Sequence, residues 1–197
     1  MTAPPPHLAA VILTGGTGAR LGGADKASLV VDGRTLLERA LLATSSATEV
    51  VVVGPRTGTS RPVTWAREDP PGGGPAAGLL VGVHALATRT GSVCVLAVDM
   101  AGFSAATLSR LRAALEDGED DVPPDAVCLR DGDGRLQWLA GVYRYDALLR
   151  AAPDGPATWA GLPMHRLVAP LRVLGIPADE KEAHDVDTWE DLEHLRE

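Results

Sequence analysis

Residues 8–26 read LAAVILTGGTGARLGGADK, an apolar run that passes abruptly into a loop rich in glycine. The run Leu8–Leu13 has the length and composition of a buried β-strand, and it ends where the glycines begin. A glycine loop directly after a buried strand lets the backbone approach a ligand closely and point several N–H groups at it. This stretch therefore predicts an α/β fold with a ligand site at the end of its first strand.

The rest of the chain alternates between short apolar runs and segments with helical spacing. Residues 50–53 form a β-branched run closed by Gly54, and residues 93–98 form another apolar run that ends at Asp99. Such alternation predicts parallel βαβ units and a Rossmann-like, three-layer fold with a mostly parallel central sheet. The other predicted strands are 126–130, 139–143 and 171–176, and the predicted helices are 35–43, 76–87, 104–115 and 187–195.

The length of the chain, 197 residues, suits one α/β domain. We expect residues 1–7, which are rich in proline, to be a disordered tail and residues 8–197 to form a single domain. The first apolar run ends at Gly15, too soon for a signal peptide or a membrane span, so we expect a cytoplasmic protein with no membrane partner. Cys94 and Cys128 lack the spacing of a zinc site or redox pair, which predicts buried thiols in a reducing compartment.

The charge of the chain is acidic, with 18 basic and 26 acidic residues and a net charge of −8. A protein that grips long nucleic acid usually carries a basic surface. Local cations can still hold a single nucleotide. The balance therefore argues against a nucleic-acid polymer as partner and excludes nothing else.

The glycine loop contains two cations, Arg20 and Lys26, of the kind that phosphate oxygens attract. A dinucleotide fingerprint requires glycine at the position of Leu21, and a P-loop requires Lys and then Ser or Thr after Gly23, where this chain has Ala-Asp. Both standard motifs are therefore excluded. A flexible surface loop is the alternative, but the two cations directly after a buried strand favour phosphate binding.

Asp99 follows an apolar strand and is predicted to lie close to the glycine loop. In parallel sheets, ligands bind beyond the carboxyl ends of the strands, where both segments would open. Magnesium prefers oxygen ligands, usually one or two carboxylates together with waters and substrate phosphates. Asp99 is thus a candidate magnesium ligand facing a triphosphate, and a simple loop or helix cap is the alternative role.

The loop resembles the signature of the molybdenum cofactor guanylyltransferase family, which reads Leu-x-Gly-Gly, then Arg-Met-Gly or Arg-Leu-Gly, then Asp-Lys. Residues 68–79, EDPPGGGPAAGL, are similar to the family's loop ending in Gly-Pro-x-Ala-Gly, and residues 183–192, AHDVDTWEDL, to its C-terminal motif. After Asp99 the chain has Met-Ala where the family usually has x-Pro, a departure that concerns loop rigidity more than ligand chemistry. The resemblance implies a fold of the nucleotide-diphospho-sugar transferase type.

The resemblance also implies roles for particular residues. Arg20, Lys26 and Asp99 would act in catalysis, and Asp99 would hold Mg²⁺ together with Asp187 or Asp185. A helix N-cap at Asp187 is an equally good account of the C-terminal motif. The implied nucleotide-binding residues are Leu13, Thr14, Gly15, Gly16, Lys26, Gly54, Asp69, Gly78 and Asp99.

The implied reaction transfers GMP from GTP to the phosphate of molybdenum-bearing molybdopterin, which yields pyrophosphate and a guanine dinucleotide cofactor. An acceptor phosphate is already ionised near neutral pH, so the reaction requires no general base. Guanylyl members of the family have Leu-x-Gly-Gly, as at residues 13–16, whereas cytidylyl relatives tend toward Ala-Ala-Gly. The resemblance therefore favours GTP, and transient contact with enzymes that accept the finished cofactor is a further expectation.

Three alternatives stay open at the level of sequence. The first is the same chemistry with another base or acceptor, as in a cytidylyl or sugar-phosphate enzyme. The second is a carrier that binds a nucleotide or pterin without catalysis, motivated by the altered residues after Asp99. The third, an NAD-dependent oxidoreductase, is disfavoured by the failed dinucleotide fingerprint.

Overall fold

A computed structural model describes residues 7–15, 25–117, 122–179, 181–182, 185–186, 188 and 190–191. The predictions for Gly16, Arg20 and Asp187 lie outside the described residues. So do residues 1–6 of the predicted tail and most of the predicted helix at 187–195. The division into a tail and a single domain therefore stays a prediction.

The central layer is a mostly parallel sheet, as predicted. Its strands, together with a small hairpin, are β1 Leu8–Leu13, β2 Val30–Val31, β3 Arg34–Thr35, β4 Glu49–Val53, β5 Thr64–Ala66, β6 Ser92–Ala97, β7 Ala126–Arg130, β8 Leu136–Arg144 and β9 Val173–Pro177. The seven-stranded sheet has the order β5-β4-β1-β6-β8-β7-β9, and β2 pairs with β3 separately. Within the seven-stranded sheet, β8 runs antiparallel to both of its neighbours, β6 and β7. Val, Leu and Ala make up more than half of the strand residues, which suits a sheet covered on both faces.

Helices cover both faces of this sheet and complete the three predicted layers. On one face, Ile12 and Leu96 belong to the same buried cluster as the apolar sides of two helices. On the other face, Val11 and Val95 share a cluster with three further helices of the described residues. The helices of the first face are α1 Leu36–Ala43 and α3 Ala105–Glu116, and those of the second are α2 Pro75–His84, α4 Tyr145–Ala151 and α5 Met164–Val168.

Side chains cap the first turns of α3 and α1, with a complete capping box at α3 and half of one at α1. Ser104 begins α3 with a full capping box, because its side chain and that of Thr107 each accept the other's backbone N–H. Thr35 Oγ1 likewise accepts from the Glu38 N–H at 3.1 Å. The Glu38 carboxylate, however, accepts from the Ser60 N–H at 2.9 Å, so Thr35 and Glu38 form only the first half of a capping box.

Both cysteines are buried and free, which confirms their predicted state. Burial raises the pKa of the Cys94 thiol to about 12. Burial also raises the pKa of Cys128 to about 12, although a hydrogen bond with Tyr143 opposes the shift. Neither thiol is therefore a nucleophile near neutral pH. Separately, none of the helices in the described ranges is long and apolar enough to cross a membrane.

Candidate active site

Three neighbouring parallel strands end level with one another and define one edge of the sheet. Leu13 at the end of β1 is in register with Val53 of β4 and with Ala97 of β6. The loops that follow are joined by backbone bonds: the Thr14 N–H donates to the Val53 carbonyl at 3.0 Å, and the Val98 N–H donates to the Leu13 carbonyl at 2.9 Å. We call this the carboxyl edge, and it is where ligands bind in open α/β sheets.

Thr14 and Gly54 approach each other closely at this edge. Thr14 is buried, and its Oγ1 donates to the Val53 carbonyl at 3.0 Å. Gly54 has φ of +147°, and a Cβ built there would lie 2.0 Å from Thr14 Oγ1. Only glycine fits this position, because any side chain would collide with Thr14 and would also require a strained backbone.

Lys26 and Asp99 form an ion pair beside the glycine loop. The Lys26 ammonium donates to Asp99 Oδ2 at 2.8 Å, and the two side chains are only 11% and 24% exposed. Asp25 orients this lysine, since its carboxylate accepts from the Ala27 N–H at 3.1 Å and from the Ser28 hydroxyl at 2.7 Å. These bonds cap the short 3-10 turn Lys26–Ser28. The pair brings a cation and a carboxylate together at the carboxyl edge, as the sequence predicted.

Glu68, which was not predicted from the sequence, also lies at the carboxyl edge. Its carboxylate accepts from the N–H groups of Gly72 and Gly73, both at 2.8 Å, and so holds the Pro/Gly-rich loop before α2. A Cβ built on Gly78 would lie 2.9 Å from Glu68 Oε1 and 3.5 Å from Leu13, which locates Glu68 at the carboxyl edge. Asp69, the residue selected from the sequence, is exposed.

The C-terminal segment reaches the same edge from the far side of the sheet. The Asp99 carbonyl accepts from the Val186 N–H at 3.0 Å and from the Ala101 N–H at 2.8 Å. Val186 is fully buried, whereas the neighbouring Asp185 is exposed. Asp185 therefore belongs to a segment bonded directly to the backbone of Asp99.

The structure thus brings most of the predicted site residues to one edge. Gly15 is exposed there, and a Cβ on it would meet no atom within 4 Å. Nothing is described for Gly16, Arg20 or Asp187. The predicted residues that lie together at the carboxyl edge are Leu13, Thr14, Gly15, Lys26, Gly54, Gly78 and Asp99.

The donor set at this edge fits a magnesium ion held mainly by a substrate. Magnesium is usually bound by one or two carboxylates, with waters and phosphate oxygens completing six positions. Asp99 supplies one half-buried carboxylate, and the segment of Asp185 is attached to its backbone. In the part of the chain that is described, no group of three or more His, Cys, Asp or Glu side chains could enclose a metal. The single carboxylate of Asp99 fits an ion whose other positions are filled by waters and phosphate oxygens.

Comparisons with known proteins show which family the chain resembles. A family model described as the MobA-like NTP transferase domain matches residues 10–162. A molybdenum cofactor guanylyltransferase from Acidiphilium cryptum (strain JF-5) is 38% identical over 182 residues, which are 88% of this chain and 80% of that protein. The chain is thus similar over most of its length to an enzyme named for nucleotidyl transfer.

Solved structures share the fold at lower identity. Molybdopterin-guanine dinucleotide biosynthesis protein A from Archaeoglobus fulgidus superposes with a TM-score of 0.68 at 20% identity, covering 95% of this chain and 96% of that one. The 2-C-methyl-D-erythritol 4-phosphate cytidylyltransferase from Thermus thermophilus gives 0.63 at 18% identity, covering 96% and 97%. These matches confirm a fold of the nucleotide-diphospho-sugar transferase type. Since the family model spans more than half of the chain and a curated relative is 38% identical over most of it, the chain belongs to the MobA-like NTP transferase family and is a nucleotidyltransferase.

Proposed function

We propose that this enzyme transfers GMP from GTP to the phosphate of molybdenum-bearing molybdopterin, releasing pyrophosphate and forming a guanine dinucleotide cofactor. The observation that carries the proposal is the 2.8 Å pair between Lys26 and Asp99 at the end of the glycine loop. A relative named molybdenum cofactor guanylyltransferase, 38% identical, supports this donor and this acceptor. The Leu-Thr-Gly-Gly sequence at residues 13–16 supports guanine as the base.

The chemical step is a displacement at the α-phosphorus of GTP. An oxygen of the acceptor phosphate attacks, a new P–O bond forms, and the bond from the α-phosphorus to the bridging oxygen breaks. Its electron pair leaves with pyrophosphate. The acceptor oxygen is already ionised near neutral pH, so no proton has to be removed. Because both reactants are anionic, the protein acts chiefly by positioning them and by neutralising their charge.

The residues at the carboxyl edge divide these tasks. The Lys26 ammonium would move from Asp99 toward the phosphate oxygens of the entering nucleotide, aided by Arg20 and by the N–H groups around Gly15 and Gly16. Asp99 would hold Mg²⁺ together with Asp185 or Asp187, and the ion would neutralise phosphate charge and stabilise the leaving pyrophosphate. Leu13, Thr14, Gly54 and Gly78 would shape the wall against which the nucleoside lies.

The acidic contact to the nucleotide, assigned to Asp69 from the family pattern, fits Glu68 better. The Glu68 carboxylate lies at the carboxyl edge near Leu13 and Gly78, whereas Asp69 is exposed. We therefore propose Glu68 as the acidic residue of the nucleotide subsite and keep Asp69 as the competing assignment.

Ligand-dependent stabilisation gives the first test of the function. GTP with Mg²⁺ at about 100 times its dissociation constant should raise the free energy of unfolding by roughly 2.7 kcal/mol. CTP, ATP and NAD are tested in the same way, each with and without Mg²⁺, for comparison with GTP. Pyrophosphate release in the presence of molybdopterin then tests turnover, and we expect it with GTP.

Each alternative predicts a different result. Turnover with CTP and none with GTP would assign a cytidylyltransferase, which this fold also supports, as the Thermus thermophilus enzyme illustrates. Turnover with a sugar phosphate in place of molybdopterin would change the acceptor. Tight GTP binding without pyrophosphate release would indicate a carrier. NAD binding without GTP binding would indicate an oxidoreductase.

The cellular setting is part of the same proposal. Cys94 and Cys128 are free thiols, which is compatible with the reducing conditions of the cytoplasm. We place the reaction there, with transient contact to enzymes that receive the product. A pull-down with a molybdoenzyme lacking its cofactor, in the presence of GTP and molybdopterin, would test that contact.

A further inference from the structure

The described residues after β9, namely 178–179, 181–182 and 185–186, belong to a segment that leads from β9 back to Asp99 at the carboxyl edge. It starts at the outermost strand, where the Ala178 N–H donates to the Arg130 carbonyl at 2.9 Å. It ends at Val186, whose N–H donates to the Asp99 carbonyl at 3.0 Å. Asp99 follows β6, so the segment spans the two strands that lie between β6 and β9. What holds this segment in place therefore also determines what lies next to Asp99.

Glu182 anchors the segment to α3. Its carboxylate is buried, with the residue only 7% exposed. Oε1 accepts from the Thr107 hydroxyl and from Arg110 Nη1 at 3.2 Å, and Oε2 accepts from Arg110 Nη2 and from the Asp179 N–H, both at 2.9 Å. Four donors thus satisfy both oxygens. A buried carboxylate is tolerated only with such partners, so the bonds select one position for the segment.

Gly102 forms a second contact between the segment and the loop of Asp99. A Cβ built on Gly102 would lie 1.8 Å from the Lys181 carbonyl oxygen and 3.1 Å from the Glu182 nitrogen. The two backbones therefore pack directly on each other, three residues after Asp99. With the Val186 bond, the segment contacts the loop on both sides of Asp185.

We propose that Glu182 is a positioning residue for the metal site. Its anchorage to α3 keeps Val186 bonded to the Asp99 carbonyl and so holds Asp185 next to the loop that carries Asp99, from which both carboxylates can serve one divalent cation. Glu182 itself touches neither metal nor substrate. The cation is that of the proposed function, and the position of Val186 can be tested without it.

Amide exchange gives a direct test that requires no activity. In Glu182→Gln the Val186 N–H should exchange about tenfold faster, since a lost charge-assisted hydrogen bond is worth at least about 1.4 kcal/mol. Arg110→Met attacks the same anchor from α3 and should have the same effect. The Thr14 N–H, bonded to Val53 on the far side of β1, should exchange at an unchanged rate. Val186 exchange that stays unchanged in both variants would overturn the proposal.

Metal dependence separates positioning from simple stabilisation. The half-saturating Mg²⁺ concentration for pyrophosphate release should rise about tenfold in Glu182→Gln, as for other residues that orient metal ligands. Two variants serve as controls: Glu116→Gln, which breaks an exposed pair on α3, and Leu148→Ala, which destabilises the opposite face. Both should keep the Mg²⁺ requirement of the unaltered chain. Faster Val186 exchange with an unchanged Mg²⁺ requirement would reduce Glu182 to a structural role and refute the proposal.

A failure of the proposed function gives a different result from a failure of the positioning role of Glu182. If the unaltered chain releases no pyrophosphate from any nucleotide, the proposed function is wrong. Mn²⁺ binding followed by paramagnetic resonance then replaces activity as the readout. Weaker Mn²⁺ binding in Glu182→Gln, but not in Glu116→Gln, would still support Glu182 as a positioning residue, and equal binding would overturn it.

Discussion

Lys26 Nζ lies 2.8 Å from Asp99 Oδ2, although 73 positions separate the two residues along the chain. The topology explains the meeting, because β1 and β6 are adjacent parallel strands and the loops that follow them open at the same edge. Both side chains are mostly shielded from water. The cost of removing both charges from water offsets most of the attraction in a shielded ion pair, so such a pair contributes little net stability. Binding of an anionic ligand by Lys26 therefore explains the pair better than a role in stability does.

Removing either member of this pair should disable catalysis. We expect Lys26→Met and Asp99→Asn each to lower kcat by about 100- to 1,000-fold, the usual effect of losing one group that stabilises transition-state charge. Asp146→Asn is the matched control, because this carboxylate lies in an exposed pair at the opposite end of the sheet. Full pyrophosphate release by Asp99→Asn would remove Asp99 from the metal site.

The glycine at position 54 should contribute measurably to the stability of the fold. Gly54→Ala forces a Cβ to within 2.0 Å of Thr14 Oγ1 at a φ of +147°. We expect the free energy of unfolding to fall by roughly 1–3 kcal/mol, the range for strained backbone positions. Gly58→Ala is the control, because that glycine is exposed and a Cβ there meets nothing within 4 Å. Equal denaturation midpoints for the two variants would contradict this.

The fold could be predicted from sequence wherever a local pattern determined an element. The run at 50–53 predicted β4, and Ser104 predicted the start of α3, because β-branched runs and cap residues act over a few positions. The antiparallel direction of β8 could not be predicted, since periodicity carries no strand direction. The three-residue strand β5 and the short helices α4 and α5 were missed because they span too few residues to show a period.

Site residues could be predicted from the sequence only where a recognisable motif contained them. Lys26 and Asp99 were identified because each follows an apolar strand. Glu68 and Asp69 are adjacent acids in the sequence, and only the path of the backbone shows which of them turns toward the glycines at 72 and 73. Glu182 carried no signal, because its partners Thr107 and Arg110 are more than 70 positions away.

Glu68 should matter more to nucleotide binding than its neighbour. We expect Glu68→Ala to raise the KM for GTP at least about tenfold, because two N–H groups lose a charged acceptor and the loop before α2 loosens. Asp69→Ala should change KM by less than about twofold, as for an exposed residue away from such features. Steady-state kinetics with GTP measures both. A larger effect at Asp69 would restore the assignment made from the family pattern.

Stability toward acid should depend on Glu182. Burial alone would raise the pKa of this carboxyl, but bonds from Thr107, the Asp179 N–H and Arg110 together hold the pKa below its ordinary value of 4.5. A lowered folded-state pKa means that ionised Glu182 stabilises the fold above pH 4.5 and that this stability is lost as the pH falls through the lower, folded-state value. Glu182→Gln should therefore be less stable than the unaltered chain at neutral pH, and the difference should shrink in acid. Urea denaturation from about pH 7 to about pH 3 measures this, and a difference that is constant with pH would contradict it.

Arg39 should support the turn that carries Asp99. Ala101 stands where the family usually has proline, and its N–H donates to the Asp99 carbonyl at 2.8 Å, a bond that proline cannot make. Arg39 Nε and Nη2 donate to the Ala101 carbonyl at 3.4 and 3.3 Å, and Nη1 lies 3.6 Å from Asp32. Hydrogen bonds thus supply the stiffness that a proline ring supplies in relatives.

Because these Arg39 bonds are long, we expect Arg39→Met to lower kcat by only about tenfold, near the lower end for bonds from a charged donor. Arg34→Met, at an exposed position of β3, should be without effect. The double variant Arg39→Met/Ala101→Pro should regain activity, because the ring would restrict the turn that Arg39 no longer holds. Initial rates of pyrophosphate release at saturating GTP are measured for the three variants and compared. Equal rates for Arg39→Met and Arg34→Met would show that the turn is stiff without Arg39, and the hydrogen bonds at Asp99 alone would then account for its geometry.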